Sequence, residues 1–238
     1  MTETIKGSVV FITGAAGTIA KALIAELKAR GAAKIYAAAR DSSWLSVAEG
    51  LVPIKMDVTS DADVAKAAST AGDVTLLINN AGINHNTFMA APDLMIAREE
   101  IEINYLAPLR VTKAFAPVLI KNEGAVLNLL TILPRVNLPF MGAYCASKAA
   151  GLSLTQGLRG ELTPKGVRVA AALPGAIDTP MTAMLTIPKM TTADAAKEIL
   201  DGFEAGEEEI YVGDMARGLA QGLAHDPKGI ERQLASPG

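Results

Sequence analysis

The chain of 238 residues has little of several residue types on which common functional sites depend. It contains one cysteine, Cys145, so a disulfide within the chain is excluded, and the composition is compatible with a reducing cytosol. Its two histidines, His85 and His225, are isolated, and with one cysteine they form no cluster of metal ligands. We therefore expect no metal and a cytoplasmic location.

Aromatic residues, net charge and long apolar runs are also scarce. Aromatics make up 4% of the chain and the net charge is −3, so neither stacking platforms nor a basic surface for nucleic acid is expected. Half of the residues are hydrophobic, yet no uninterrupted apolar run approaches the roughly 18 residues of a membrane span. The N-terminus also lacks the basic-then-apolar pattern of a signal peptide. We expect no nucleic acid or membrane partner.

Short apolar runs rich in β-branched residues recur along the chain, and segments with helical spacing, such as 19–30 and 98–120, lie between them. The runs lie at 8–13, 34–39, 51–56, 74–79, 125–131, 168–173 and 209–212. They are continuous rather than alternating, which is typical of parallel strands covered on both faces. The pattern predicts one α/β domain over 1–238, a doubly wound parallel sheet of about seven strands with helices on both faces. A short tail helix is expected within 220–235.

The first predicted strand leads into a glycine-containing turn, TGAAGTIAKAL. Gly14 and Gly17 allow a tight turn and let backbone N–H groups approach a pyrophosphate at a helix N-terminus. Ala20 would lie where the helix packs on the strand. Taken alone, the motif leaves a phosphate-binding turn and an ordinary strand–helix turn equally open.

The end of the second predicted strand distinguishes between two dinucleotides. In a dinucleotide site this point faces the adenosine ribose, where an acidic residue binds a free 2′-hydroxyl. Here Ala39 ends the strand and Arg40 follows. Because a guanidinium is a charged, bidentate donor suited to a 2′-phosphate, we favour NADP(H), with NAD(H) as the alternative.

A set of motifs gives the chain a specific family resemblance. TGxxGxxA at 13–20, INNAG at 78–82, Asn104, Thr131, YCASK at 144–148 and PGAIDTPM at 174–181 occur in this order. The chain resembles the short-chain dehydrogenase/reductase family over nearly its whole length. The resemblance implies a Rossmann fold, a nicotinamide cofactor and a homodimer or homotetramer. The implied cofactor contacts are Thr13, Gly14, Ala16, Gly17, Thr18, Ile19, Arg40, Asp57, Val58, Asn80, Ala81, Gly82, Tyr144, Lys148, Pro174, Gly175, Ile177 and Thr179.

Tyr144 and Lys148 are the proton-handling residues that the resemblance implies. Four residues apart on a helix, they share one face. A nearby ammonium favours the phenolate, so we expect the pKa of Tyr144 to be lowered from about 10. The tyrosine would then act as general acid in carbonyl reduction or as general base in alcohol oxidation. The alternative is a solvated helix face.

Two further catalytic residues are implied by the resemblance, and one departs from the family pattern. Thr131 stands where the family usually has serine; it keeps the hydroxyl for a substrate oxygen, but its methyl group narrows the pocket. Asn104 matches the asparagine that binds a water linking the lysine to solvent. The structural alternatives are a packed strand residue for Thr131 and a helix bend before Pro108 for Asn104.

The substrate region is expected after the PGAIDTPM motif, where residues 181–190 form a mobile lid in relatives. Methionine-rich surface suits an apolar substrate, so we expect a hydrophobic aldehyde or ketone and its alcohol. Candidate pocket residues are Leu133, Phe140, Met141, Met181, Met184 and Leu185.

Three functions are compatible with these motifs, and an NADP(H)-dependent oxidoreductase of the carbonyl reductase type is favoured. A catalytically silent NADP(H)-binding sensor or scaffold is the second, although a sensor has no need for Tyr144, Lys148 and Asn104 together. A nucleotide-sugar epimerase is the third; epimerases usually carry an added C-terminal substrate domain, for which 238 residues leave little room.

Overall fold

A seven-stranded parallel sheet forms the centre of the molecule. The computed structural model describes residues 4–41, 49–90 and 93–235, so the predicted domain limits at 1 and 238 lie outside the described residues. The strands are β1 (Val9–Thr13), β2 (Lys34–Ala39), β3 (Leu51–Lys55), β4 (Leu76–Asn79), β5 (Ala125–Leu129), β6 (Arg168–Pro174) and β7 (Glu209–Val212). Their order is β3-β2-β1-β4-β5-β6-β7, and all neighbours are parallel. The predicted doubly wound fold is confirmed.

Helices cover both faces of this sheet. They are α1 (Thr18–Ala29), α2 (Asp61–Thr70), α3 (Leu94–Ile101), α4 (Ala107–Lys121), α5 (Gly142–Leu162), α6 (Thr192–Glu204), α7 (Gly213–His225) and α8 (Pro227–Ala235). One buried apolar cluster joins α1 and α6 to the sheet. A second cluster joins α2, α4 and α5 to the opposite face. The two-sided burial explains why the strands read as continuous apolar runs.

The chain reverses its direction across the sheet between β1 and β4. β2 and β3 lie on one side of β1, whereas β4 to β7 follow on the other. A crevice forms at such a switch point, outside the carboxyl ends of the strands. Gly14 directly follows β1 and Asn80 directly follows β4, so the sequence motifs around both residues meet at this crevice.

The predicted helix at 98–120 is longer and less regular than its periodicity indicates. It begins at Leu94, where the Asp93 carboxylate accepts the backbone N–H of Met95 at 2.8 Å. Between α3 and α4 the turn Glu102–Leu106 is π-helical. Asn104 lies in this turn, and the helix opens before Pro108, at the point where the sequence predicts a bend.

The predicted single tail helix is wrong in extent, because this part of the chain forms the two helices α7 and α8. They are separated by Asp226, which is extended (φ −140°, ψ 78°). Pro227 disfavours the helical conformation for the residue before it. The Asp226 carboxylate then accepts the Gly229 N–H at 2.9 Å at the start of α8.

A buried polar chain links the centre of the sheet to the helices behind it. Asn79 donates to Thr112 Oγ1 at 3.0 Å and to Asn128 Oδ1 at 2.9 Å. Asn128 in turn donates to Thr155 Oγ1 at 2.9 Å on α5. These bonds join β4 and β5 to α4 and to α5, the helix that carries Tyr144 and Lys148.

Candidate active site

A cleft of about 1170 Å³ lies at the switch point between β1 and β4. It is bordered by the glycine turn, the ends of β2 and β3, the segment after β4 and part of α3. Twelve of the predicted cofactor residues line it: Gly14, Ala16, Gly17, Thr18, Ile19, Arg40, Asp57, Val58, Asn80, Ala81, Gly82 and Thr179. Residues scattered over more than 160 positions of the chain thus share one cavity.

The glycine turn has the geometry that a pyrophosphate needs. Gly14 has φ 66°, and a Cβ there would lie 2.8 Å from the Cα of Ala81, so only glycine fits. Gly17 precedes α1 and has no side chain to cap the first N–H groups of that helix. These donors therefore face the cleft, where a helix N-terminus favours an anion. This cradle fits a dinucleotide.

The other end of the cleft carries charged residues from β2 and β3. Arg40 is exposed directly after β2. The pKa of Asp57 lies below its ordinary value, mainly because the Thr59 backbone N–H (2.9 Å) and hydroxyl (2.8 Å) donate to its carboxylate. Arg40 adds a favourable charge. Asp57 is therefore an anion held in a tight turn.

Six predicted cofactor residues do not line this cleft: Thr13, Tyr144, Lys148, Pro174, Gly175 and Ile177. Thr13 is buried beneath it, where its hydroxyl accepts the backbone N–H groups of Asn80 (3.0 Å) and Ala81 (3.1 Å). Thr13 thus holds the INNAG segment against the glycine turn. Pro174 and Ile177 are also buried, whereas Gly175 is partly exposed.

Tyr144 and Lys148 lie on one buried face of α5. Tyr144 is 8% exposed and Lys148 is 5% exposed, and the ammonium lies 5.8 Å from the centre of the tyrosine ring. Lys148 donates to the Leu129 carbonyl at 3.1 Å. A Cβ on Gly82 would approach Lys148 Nζ to 3.3 Å, so the ammonium lies directly behind the wall of the cleft. The two residues do not form a solvated helix face.

The protonation of this pair differs from the sequence-based expectation. Burial raises the pKa of Tyr144, and the neighbouring Cys145 and Glu100 side chains raise it further. Burial lowers the pKa of Lys148 to about 8. The predicted lowering of the tyrosine pKa is therefore wrong for the protein without ligands, because desolvation outweighs the nearby ammonium. At neutral pH the phenol keeps its proton.

Asn104 connects the π-helical turn to the segment after β4. Its side chain donates to the Ile83 carbonyl and accepts the Ile83 N–H, both at 2.9 Å. It also donates to Ser147 Oγ at 2.9 Å on α5. A small cavity of about 10 Å³ lies between Asn104, Asn128 and Lys148, and its size suits one water molecule.

Thr131 follows β5 and is buried near the start of α5. Its hydroxyl donates to the Pro174 carbonyl at 3.3 Å and accepts the Leu133 N–H at 3.4 Å. Both distances are long for hydrogen bonds, so the hydroxyl is only weakly engaged by the protein itself.

The predicted pocket residues divide into two groups. Leu133, Phe140, Met141 and Leu185 pack in one apolar cluster with Tyr144 and Cys145. Cys145 is thus a packing residue of this cluster. Met181 and Met184 are exposed on the predicted lid, and Met181 also lines the cleft. At the end of the predicted lid segment, the Met190 N–H donates a hydrogen bond to the Ala176 carbonyl at 2.9 Å.

Sequence reasoning missed the contribution of α3 and the π-helical turn to the cleft. The additional lining residues there are Met95, Arg98, Glu99, Glu102 and Ile103. Their pattern is that of an ordinary amphipathic helix, so no local signal distinguishes a helix that borders a cleft from one that covers the core.

Comparison with known proteins agrees with this geometry. The model of the short chain dehydrogenase family matches residues 8–189. The chain belongs to the short-chain dehydrogenase/reductase family. The predicted family is therefore confirmed, and the protein is a member of an oxidoreductase family. A short chain dehydrogenase from Burkholderia cenocepacia, solved in complex with NADP, is 43% identical, with a TM-score of 0.95 over 99% of this chain and 100% of that one.

Curated relatives within the family have varied names. The 3-oxoacyl-[acyl-carrier-protein] reductase FabG of Thermotoga maritima is 30% identical over 92% of this chain and 98% of its own length. The short-chain dehydrogenase ptmH of Penicillium ochrochloron is 32% identical over 59% of this chain, and the match spans about half, 51%, of that relative.

Two features that other partners would require are absent from the described residues. Within residues 4–41, 49–90 and 93–235, no helix is long and apolar enough to cross a membrane. The same described residues contain no group of three or more His, Cys, Asp or Glu side chains that could hold a metal ion.

Proposed function

We propose that this protein is an NADP(H)-dependent oxidoreductase that reversibly reduces a hydrophobic aldehyde or ketone to the alcohol. The observation that carries the proposal is the buried pair Tyr144 and Lys148, whose ammonium lies behind Gly82 at the wall of the glycine-turn cleft. The burial of a phenol and an ammonium away from solvent costs free energy. A reaction that moves a proton explains why both groups are buried here.

Each candidate residue has a distinct part in this chemistry. The cleft residues from the glycine turn, Arg40 and the INNAG segment would hold NADP(H), which supplies the hydride when bound. The weakly engaged hydroxyl of Thr131 donates a hydrogen bond to the substrate carbonyl oxygen. The phenol of Tyr144, protonated at neutral pH, then donates its proton to that oxygen as charge develops on it.

Lys148 and Asn104 support the proton transfer. The Lys148 ammonium, with a pKa of about 8, is mostly charged at neutral pH and stabilises the phenolate that remains. The small cavity between Asn104, Asn128 and Lys148 can hold a water that resupplies the proton. Asn104 therefore has a place in the relay in addition to its bonds to Ile83.

The preference for NADP(H) rests on Arg40 and on the Burkholderia relative that was solved with NADP. The exposed guanidinium of Arg40 borders the cleft where a 2′-phosphate is expected. We expect Arg40→Ala to weaken NADPH binding by about 10- to 100-fold, because a charged hydrogen bond contributes about 1.5–3 kcal/mol, and to leave NADH binding unchanged. Isothermal titration with both cofactors measures this. Equal weakening of NADH binding would contradict the assignment.

The hydrophobic substrate class is supported by where apolar side chains are exposed. Of the eight exposed large hydrophobic residues in the described part of the chain, only Met215 lies away from residues 88–95 and 181–187. The other seven are Phe88, Met89, Leu94, Met95, Met181, Met184 and Ile187. Met95 and Met181 also line the cleft, so apolar surface borders it from both α3 and the lid. Such surface suits an apolar substrate.

We further propose a homodimer or homotetramer in the cytoplasm. The outward face of α5 carries exposed small residues, among them Ala146, Ser153 and Gly157, which permit close approach of a second copy. The buried lone thiol of Cys145 suits a reducing compartment. Light scattering on the purified protein measures the mass; a strict monomer would contradict the assembly.

The decisive experiment follows NADPH oxidation against a panel of hydrophobic aldehydes and ketones, with NADH in parallel. We expect turnover with NADPH that falls by about 10²–10⁴-fold in Tyr144→Phe, because the general acid is lost. NADPH binding should change little, because phenylalanine keeps the ring and the residues that line the cleft are unaltered. Tight NADPH binding without turnover on any substrate would favour the sensor over the enzyme.

A further inference from the structure

The helix α3 buries a carboxylate where an apolar side chain is expected. Of the eight residues of α3, only Glu100 is buried, at 1% exposure. One carboxylate oxygen accepts the His85 backbone N–H at 2.7 Å. The other is buried and has no hydrogen-bond partner among the residues that the structure describes. A buried carboxylate is costly, so its position calls for a reason beyond packing.

Glu100 is one of three points that hold the segment 83–87 after β4. One helical turn further on, Asn104 holds both backbone groups of Ile83 at 2.9 Å. At the other end of the segment, the Thr87 carbonyl accepts the Gly142 N–H at 3.1 Å. Gly142 is the first residue of α5, and Tyr144 is its third. The segment therefore connects the carboxylate of Glu100 to the turn that carries the phenol.

The centre of this segment depends on Glu100 more than its ends do. Asn86 has φ 52°, in the left-handed region, and its N–H donates to the Asn84 side chain at 2.8 Å. Between these residues, the His85 N–H is directed into the protein, and Glu100 supplies its acceptor. Without that acceptor the donor, which faces the buried carboxylate of Glu100, would lose its partner, which favours a different path for the turn.

We propose that Glu100 is a positioning residue for the reaction: by accepting the His85 N–H it fixes segment 83–87, and through Thr87 it fixes the first turn of α5 and the phenol of Tyr144. This inference rests on the proposed reductase function. Glu100 does not line the cofactor cleft, so we expect its effect on turnover to act through segment 83–87 and not through contact with the cofactor.

The charges around Glu100 are consistent with a structural acceptor. Burial raises its pKa; the bond from the His85 N–H and the His85 ring lower it, and Glu99 raises it. Tyr144 and Cys145 face it from α5, and Glu100 raises the pKa of both. A carboxylate here opposes phenolate formation, so its charge does not assist proton donation by the phenol, and its contribution to the reaction is the bond that it accepts from the His85 N–H.

The test compares two substitutions of Glu100 that differ in the acceptor. Glu100→Gln keeps an oxygen for the His85 N–H, whereas Glu100→Leu removes it at similar size. We expect kcat for carbonyl reduction within about threefold of wild type in the glutamine variant and at least about tenfold lower in the leucine variant. The NADPH dissociation constant should change less than about twofold in both. Glu207→Gln, on an exposed loop, controls for the loss of one negative charge.

Hydrogen exchange of the wild-type protein gives a second readout that needs no variant to fold. The His85 amide should exchange slowly, as expected for a donor bonded to a buried acceptor. Exchange at the rate of a free amide would overturn the proposal. Wild-type kcat in Glu100→Leu, or an equal loss in Glu100→Gln, would also overturn it. A wild-type protein that reduces no carbonyl refutes the reductase function, whereas the exchange result still decides whether Glu100 holds the segment.

Discussion

Burial shifts the protonation equilibria of Tyr144 and Lys148 toward the uncharged forms. At neutral pH the phenol is fully uncharged, whereas the ammonium loses its charge only in part. Burial raises the pKa of the tyrosine and lowers that of the lysine to about 8. The phenol is therefore held as a proton donor, and the ammonium retains most of its charge at neutral pH. This state suits carbonyl reduction. Alcohol oxidation needs the phenolate, which a positive charge near the phenol would stabilise.

The hydroxyl of Thr131 leads to a prediction about turnover. Thr131→Val keeps the shape but removes the donor, so we expect kcat to fall by about 10²–10³-fold, as for loss of one oxyanion donor. Stability should change little because both bonds of the hydroxyl are long, 3.3 and 3.4 Å. Steady-state kinetics measure the loss. Thr131→Ser is the control and should stay within a few-fold of wild type; near-normal turnover of the valine variant would refute a role for the hydroxyl.

The buried ammonium of Lys148 leads to a prediction about stability and pH. Its pKa falls from 10.5 to about 8 on folding, so between these values the unfolded chain binds more protons and stability rises with pH. Below about pH 8 the full penalty is present, of the order of 3 kcal/mol. Lys148→Met removes it, less about 1 kcal/mol for the lost bond to the Leu129 carbonyl.

We therefore expect Lys148→Met to be inactive but more stable than wild type by about 2 kcal/mol at neutral pH. The gain should shrink as the pH rises from about 8 through 10.5, because above 10.5 the wild-type lysine is mostly neutral in both states. Urea denaturation at several pH values measures it. A destabilised variant at neutral pH would contradict this account of the ammonium.

Among the helices, α1 and α6 are joined by an ion-pair network around Arg30. Its guanidinium contacts Glu26 at 2.9 Å, Asp201 at 2.7 Å and Glu204 at 2.7 Å, and its side chain is 15% exposed. Glu204 also accepts the Ile5 N–H at 3.0 Å, which attaches the N-terminal segment. The network thus joins α6 to the C-terminal end of α1, whereas the N-terminal end of α1 borders the cleft.

Removal of the Arg30 side chain should lower the stability of the protein without changing its catalytic activity. We expect Arg30→Ala to lower the free energy of unfolding by about 1–3 kcal/mol, because three carboxylates lose a partly buried partner. Arg217→Ala is the matched control: its side chain is 45% exposed and should contribute less than about 1 kcal/mol. Urea denaturation compares them. Equal losses would show that burial of Arg30 does not strengthen its ion pairs.

The π-helical turn is an element whose shape depends on distant residues. Asn104 bonds to Ile83 and Ser147, which are 21 and 43 positions away. The apolar periodicity around the turn indicates a helix, and Asn104 together with the following Pro108 indicates a bend. The type of turn, however, follows from contacts that periodicity does not contain.

At the scale of the whole molecule, the central sheet unites two apolar clusters. Val10 and Ile12 of β1 face the cluster under α1 and α6, whereas Phe11 between them faces the opposite cluster. Neither cluster can be exposed to solvent without exposing one face of strands whose other face belongs to the second cluster. The two faces should therefore unfold together.

We expect a single urea transition, and we expect substitutions on either face to move all of it. Phe11→Ala removes a ring that packs against Phe115 at 4.5 Å between centroids, at a loss of about 3–5 kcal/mol. Leu23→Ala on the other face should lose about 2–5 kcal/mol. Far-UV circular dichroism and NADPH binding should report the same midpoint. Two transitions, only one of which moves, would contradict the expectation.

Local patterns in the sequence determined much of this protein. Continuous apolar runs predicted all seven strands, since burial on both faces leaves no alternation. Residues of the glycine turn, Arg40 and residues 80–82 were predicted to bind the cofactor, because their chemistry follows from residue type and from the strand end each one follows. They line the cleft, and their contact with the cofactor stays a prediction. The family was likewise readable from the order of the motifs.

Only the tertiary structure decided the properties that depend on distant neighbours. The burial of Glu100, the weak engagement of Thr131 and the direction of the Tyr144 pKa follow from packing between segments far apart in the chain. The extent of α3 along the cleft also could not be read from the periodicity, whereas the break at Asp226 follows from a local signal, the proline that comes after it. Periodicity records which face of an element is covered, but desolvation depends on what covers it, and that is set by the fold.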